Sequence, residues 1–267
     1  PYDGLMYIDG SYTPGESYRL RISPELADIW GGKLGTEYVL NFSSADLPPA
    51  INLNNAPEAI FLTTQDNALP AQVTNLSVLD LSLGSVQPQD FIPIVRGENA
   101  YDLRRSYRPA DQRSWQQRVD APLNQMQAVQ IFVTPEQAPL SPGLYHLRFN
   151  NLPQDVYAGP YLLVVSNNQV IFKLGATDVL VWAVGLDGKT PLGNAPVAVY
   201  DSKGQVLASG ETDAQGVFYS SIAPLTDVYN TFYAVLSQPG QADFGMALSS
   251  WSQGIDPWDF EISADIR

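Results

Sequence analysis

The stretch Thr177-Asp178-Val179-Leu180-Val181-Trp182-Ala183-Val184-Gly185, with Asp187-Gly188 just behind it, decides the fold. Its interior is β-branched and aromatic with no Pro or Gly, which suits a strand, and Asp-Gly is a hairpin signal. Working downstream, Ala195 to Tyr200 alternates with Val197 and Val199 on one face, and Asp201-Ser202-Lys203-Gly204 turns the chain. Gln205 to Glu211 returns, Thr212-Asp213-Ala214-Gln215-Gly216 turns again, and Val217-Phe218-Tyr219, Thr231 to Leu236 and Gly245 to Ser249 follow as strands. About seven strands over roughly 100 residues, with turns every 8 to 12 or so, is the sequence pattern of an immunoglobulin-like sandwich. Trp182 is expected inside its core.

Upstream, Ala59 to Leu62, Leu76 to Leu83, Val129 to Val133, Leu144 to Phe149 behind the Pro142-Gly143 turn, and Tyr161 to Val165 read as strands of a second sandwich. It is interrupted by an Arg-rich insertion. Six of the ten Arg lie between Arg96 and Arg118, and Pro109 to Val119 has the composition of a short helix with Pro near its start. Glu98, Asp102, Asp111 and Asp120 accompany these arginines, so the insertion reads as an ion-paired, solvated element or as a docking site for an acidic partner. Pro48-Pro49 suits a linker. Before it, Ser17 to Ser23 and Glu37 to Phe42 alternate as half-buried strands around a turn-bearing loop, Pro24 to Gly32, anchored by apolar residues. About three strands before residue 48 are too few to close a sandwich.

The expectation is an all-β chain of tandem immunoglobulin-like antiparallel β-sandwiches, with a short helical insertion in the middle domain. The divisions are 1–47, a partial Ig-like domain; 48–166, a sandwich with the Arg-rich insertion; and 167–267, a second sandwich. The 267 residues carry 14 Lys and Arg against 28 Asp and Glu, a formal charge of −14. A polyanion of this kind repels phosphate backbones, so no nucleic-acid partner is expected. The chain has no Cys, which excludes disulfides, thiolate nucleophiles and an internal thioester, and its single His excludes a multi-histidine metal site. No apolar run approaches the roughly 20 residues of a membrane span. The chain begins at Pro1 and shows no leader pattern, so it is expected to be a piece of a longer protein.

No catalytic, cofactor-binding or metal-binding residue is assigned. His146 falls on the polar phase of its strand and names no partner in sequence. Asp256, Asp259 and Glu261 beside Trp258 read as a solvated surface rather than a glycosidase pair. Asp187 with Gly188 and Asp213 with Gly216 lack the further ligands of a calcium loop and read as Asx turns. The aromatic stretches Ser249 to Ser252 and Trp258 to Phe260 read as core plugs. The sequons at Asn41 and Asn75 are placed in strands by Phe42 and Leu76.

The run Asp178 to Ala183, then Gly188-Lys189-Thr190-Pro191-Leu192-Gly193-Asn194-Ala195-Pro196-Val197, then Gly204 to Phe218 resembles the macroglobulin-like domains of bacterial α2-macroglobulins. The ending Ala247 to Ile255 with Ala264 to Arg267 is similar to the stretch that precedes the next such domain in that family. Leu140 to Tyr145 resembles the strand entry of the preceding domain, and Pro14-Gly15, Tyr18, Leu26, Asp28, Gly31, Leu34 and Phe42 look like the second half of a bacterial Ig-like domain. The resemblance implies a scaffold segment of a secreted or periplasmic, cell-envelope-associated inhibitor that traps proteases cutting an exposed bait. Bait and any thioester would lie outside this segment. It implies no enzyme activity and no cofactor. The implied partners are the other domains of the chain and target proteases, with a membrane engaged only through an anchor elsewhere. The alternative is a cell-surface adhesive array of Ig-like domains.

Overall fold

Whether a strand carries one apolar phase or two decides its place in this protein. The computed structural model describes residues 7–53, 59–96, 99–153, 156, 158–225 and 231–249. Its first pair, β1 (Ser17–Ile22) and β2 (Tyr38–Ser43), is antiparallel, with Tyr18 opposite Phe42 and Leu20 opposite Leu40. Tyr12, Tyr18 and Phe42 cluster with ring centroids 5.1 to 5.6 Å apart. The loop residues expected as apolar anchors face solvent instead: Leu26, Ile29 and Trp30 are all exposed. Two strands, rather than about three, stand among the described residues before residue 48.

The middle of the chain contains β3 (Ala50–Asn52), β4 (Ile60–Leu62), β5 (Ala68–Thr74), β6 (Val78–Val86), α1 (Pro88–Arg96), α2 (Ala100–Ser106), β7 (Arg113–Arg118), β8 (Met126–Phe132), β9 (Gly143–Asn150) and β10 (Tyr161–Val165). One sheet runs β3-β5-β8 and the other β4-β10-β9-β6-β7, all neighbours antiparallel except β10 with β4. Their facing sides interleave Ile51, Leu69, Ala71, Val73 and Ile131 with Leu79, Leu81, Leu147, Phe149, Leu163 and Val165. The helices fall at 88–106. The segment 109–119 expected to be helical instead holds β7, whose Arg113 to Arg118 pair with Leu83 to Val78. An edge partner for β6 outweighs weak helix propensity there.

The last part contains β11 (Asn168–Leu174), β12 (Asp178–Gly185), β13 (Pro196–Tyr200), β14 (Val206–Glu211), β15 (Val217–Ser221), β16 (Tyr233–Leu236) and β17 (Gly245–Leu248). The sheets β11-β12-β15 and β14-β13-β16-β17 face each other over Phe172, Val179, Val181, Ala183, Val197, Val199, Phe218, Ala234 and Leu236. The deciding strand β12 therefore buries its odd phase. Trp182 lies on the other phase and is 40% exposed, against the expectation that it fills the core. The side chains at 179, 181 and 183 are small enough to let the sheets approach, whereas an indole at that layer would hold them apart.

Several strands bury both faces. In β10, Leu163 and Val165 enter the sandwich core while Leu162 and Val164 point away, and in β16 Ala234 and Leu236 point into one core while Tyr233 and Val235 join another. That other core is built around α1. Phe91, Ile92, Ile94 and Val95 are buried between Val86, Leu144, Leu162 and Val164 of the five-stranded sheet and Tyr233, Val235, Met246 and Leu248 of the four-stranded one, with Phe244 just ahead of β17. Replacing fully buried Phe91 by Ala is expected to destabilise the chain by about 3–5 kcal/mol, and Trp182→Ala by about 1 kcal/mol or less. Urea denaturation of the two variants checks both; the reverse ranking would invert the assigned strand phase.

Candidate functional site

The insertion α1–α2 is the part of the chain where helices, buried polar groups and both neighbouring sheets meet. Pro88 starts α1, where its missing N–H breaks no helical bond, and the Gln87 carbonyl accepts from the amides of Asp90 (3.0 Å) and Phe91 (2.9 Å). Tyr233 Oη donates to the Ile92 carbonyl at 3.1 Å, so β16 grips the helix by a polar contact within an apolar layer. At the far end, Arg104 donates from Nε and Nη2 to the Ile94 carbonyl (3.3 Å each) and from Nη2 to Val95 (3.2 Å). A cation on the last carbonyls of a helix offsets its negative end. Tyr107 Oη donates to Asp90 Oδ2 at 3.1 Å. Burial first, and then the Asp90 charge, push that phenol up to about 12.

His146 lies beneath this insertion. Expected on a polar phase, it is 1% exposed, because the second face of β9 is covered by helices rather than water. Its Nε2 stands 2.9 Å from the Arg104 carbonyl. A carbonyl only accepts, so Nε2 carries a proton. Nδ1 is buried with no hydrogen-bond partner among the described residues, and the Tyr107 ring meets the imidazole edge-on at 5.6 Å. Burial lowers the imidazole pKa to about 4; the bond to Arg104 opposes this, while the charges of Arg148, Arg108 and Arg104 add to it. Such a histidine pins α2 to β9. With its one N–H committed to a backbone carbonyl, it has the geometry of a support.

Other sequence candidates resolve as local structure. Asp187 Oδ1 accepts from the amides of Lys189 (2.9 Å) and Thr190 (3.0 Å), and Oδ2 from Thr190 Oγ1 (2.7 Å). These bonds, led by the Lys189 amide, hold its carboxyl down at about 2. Asp213 accepts from the amides of Gln215 and Val217, Asp201 from Lys203 and Gln205, and Asp28 from Trp30 and Gly32. In these three turns a Gly with positive φ stands at the fourth position: Gly216, Gly204 and Gly31. The carboxylates are thus engaged in shaping turns. Among the described residues no three His, Asp or Glu gather as metal ligands.

Asn75 sits at φ 51°, in the turn between β5 and β6 rather than in a strand. Its side chain accepts from the Asn124 amide at 2.6 Å and donates to the Leu47 carbonyl at 2.6 Å, tying the linker to the middle sheets. Asn41 lies in β2 as expected. Ser249 pairs with Phe232, its amide donating to that carbonyl at 2.8 Å, whereas Trp251, Asp256, Trp258, Asp259 and Glu261 lie outside the described residues. A cavity of about 190 Å³ opens beside Leu83, Asp111, Arg113, Trp115, Val133 and Tyr145. Three of its polar walls are engaged, Asp111 with the Ser85 amide, Tyr145 Oη with the Ser141 carbonyl and Arg113 with Glu136, while Trp115 Nε1 is buried with no hydrogen-bond partner among the described residues.

The neutral imidazole has a pH consequence. His146 titrates near 4 when folded against about 6.5 when unfolded, so between those values the unfolded chain binds more protons and stability falls as pH falls. The loss through this group is on the order of 3 kcal/mol by pH 4. His146→Gln should remove that component, so that the stability gap between the wild type and the variant narrows from pH 7 to pH 4 in denaturant titrations. An unchanged gap would show that the histidine carries no such burden. Gly216→Ala is expected to destabilise by more than about 2 kcal/mol, because an added Cβ would stand 2.3 Å from the Ala183 carbonyl oxygen at φ +76°. Gly188→Ala, with φ +66° and open space around the new methyl, should lose only about 1–2 kcal/mol by thermal unfolding.

Residues 165–266 match the bacterial alpha-2-macroglobulin MG3 domain family. A comparison with curated proteins finds no match. Among solved structures, the native alpha-2-macroglobulin of Escherichia coli spanning domains MG0-NIE-MG1 aligns with TM-score 0.60 at 15% identity, covering 88% of this chain and 74% of that one. Salmonella alpha-2-macroglobulin reacted with methylamine aligns with TM-score 0.59 at 15% identity, covering 88% of this chain and 14% of that one. At these identities the structural likeness is one of fold. The last part of the chain therefore carries a bacterial alpha-2-macroglobulin MG3 domain, and the chain shares the layered β-sheet fold of those bacterial alpha-2-macroglobulins.

Proposed function

We propose that this chain is an N-terminal scaffold segment of a bacterial α2-macroglobulin-like protease inhibitor, acting in the periplasm or outside the cell. It has no catalytic or cofactor chemistry of its own. The division at 1–47, 48–166 and 167–267 is part of the proposal: a partial Ig-like domain, then two macroglobulin-like sandwiches. The protein's targets are proteases, its immediate partners are further domains of the same polypeptide, and a membrane is reached only through an anchor elsewhere.

The observation that carries this reading is the buried core around α1. A trap that reports cleavage at one place by movement elsewhere needs domains that turn as units, and loosely strung beads do not provide that. Here α1 is buried on both sides, and Tyr233 Oη holds its middle carbonyl at Ile92 while Arg104 holds those of Ile94 and Val95 near its C-terminal end. Continuous apolar packing of this kind supports two sandwiches acting as one lever arm. The alternative, a cell-surface adhesive array of Ig-like domains, does not call for this coupling.

The test uses the full-length protein that contains this segment. Limited digestion with several proteases of different specificity should cut one exposed stretch first, and the protease should then lose activity on large protein substrates while keeping it on small peptides. Scattered first cuts together with undiminished activity on large substrates would refute the trapping role.

A further inference from the structure

Among the described residues, a concentration of positive charge around α2 is left without carboxylate ion pairs. Arg21 pairs with Glu37, Arg113 with Glu136 and Arg118 with Asp120. Among the described residues, none of Arg104, Arg105, Arg108 and Arg148 has such a partner. Of the carboxylates nearby, Asp90 accepts from the Tyr107 hydroxyl and the Asp111 side chain from the Ser85 amide, while Asp102, on α2 itself, forms no ion pair among the described residues.

Two of these guanidiniums converge. Arg108 Nη1 and Arg148 Nη1 donate to the same acceptor, the Arg105 carbonyl, at 2.8 and 2.6 Å, and Arg108 Nη1 also reaches the Tyr107 carbonyl at 2.8 Å. A guanidinium has five N–H donors, and each of these two commits only Nη1 here, leaving the rest of its fork open. Arg105 itself lies over the Tyr101 ring at 5.5 Å and bonds its hydroxyl. Arg105 and Arg108 are exposed and Arg148 is half-buried. Burial and the charges of Arg108 and Arg105 lower the Arg148 pKa, so the three cations act on one another. Holding like charges together unpaired is unfavourable, and a carboxylate entering the fork would relieve it through charge-assisted hydrogen bonds.

We propose that Arg105, Arg108 and Arg148 form a docking site for the carboxylate side chains of an acidic polypeptide segment, presented by the α2 end of the helical insertion. The net charge of −14 selects this occupant. An extended polyanion, whether a bilayer or a nucleic acid, meets the repulsion of the whole surface. An acidic loop enters within about one Debye length, roughly 8–10 Å, where the local cations dominate. The site is independent of protease trapping, and its test reads binding alone.

The probe is a fluorescein-labelled short peptide carrying three consecutive glutamates between neutral residues, titrated with the intact chain at about 100 mM salt, where the Debye length is about 10 Å. Saturable binding is expected, weakened about tenfold by Arg108→Gln and by Arg105→Gln and nearly unchanged by Arg19→Gln, an exposed arginine on β1 away from the cluster. Arg105 and Arg108 are surface side chains, so an unaltered near-ultraviolet circular dichroism spectrum should accompany both losses. Absence of saturable binding would overturn the proposal. So would equal weakening by Arg19→Gln, or tighter binding to phosphatidylglycerol vesicles or inorganic phosphate than to the peptide.

Discussion

The structure depends on one constraint: the outward faces of two sheets are too apolar to meet water, and α1 is the element that covers them. Phe91, Ile92, Ile94 and Val95 lie between Leu162 and Val164 on one side and Tyr233, Met246 and Leu248 on the other, all of them buried. At roughly 25 cal/mol per Å² of apolar surface removed from water, a layer of this size rivals the sandwich cores themselves. A nine-residue helix containing Pro93 has little stability alone, so it exists because both sheets hold it.

Polar groups around this layer are placed where the helix leaves its own backbone unsatisfied. Arg104 serves the final carbonyls of α1, and His146 in turn accepts the strain of a buried nitrogen in order to hold the Arg104 carbonyl. Tyr233 reaches the same helix from the neighbouring sheet. These contacts link β9, α2, α1 and β16 in a single path, which is the physical basis for treating the two sandwiches as coupled. The arginines left over at the α2 end face outward with their charge unspent, and that is where the chain offers a partner something its acidic surface otherwise lacks.

The turns were legible from residue types alone. Asp201-Ser202-Lys203-Gly204 and Asp213-Ala214-Gln215-Gly216 carry their mechanism in the side chains: the carboxylate bonds amides two and four positions on, and the glycine supplies the positive φ. The strands of the last block followed from the same local logic. What local logic missed was β3, β5, β7 and β11, strands whose Pro, Gln, Asn or Arg content masks their pairing, and it placed the helix at Pro109 to Val119 rather than at α1 and α2. For β7 the decisive force is non-local, the open edge of β6.

The amino-acid sequence by itself determined the class of the protein: an all-β chain with Asx-stabilised turns, no thiol chemistry, an acidic surface and a recognisable macroglobulin-like final block. These properties reside in residue identity and short-range spacing. Only the tertiary structure decided which phase of each strand is inside. It exposed Trp182, because Val179, Val181 and Ala183 already fill their layer, and it buried His146, because residues some forty positions earlier fold over β9. Alternation names two faces of a strand, but what covers each face is set by contacts distant in the chain.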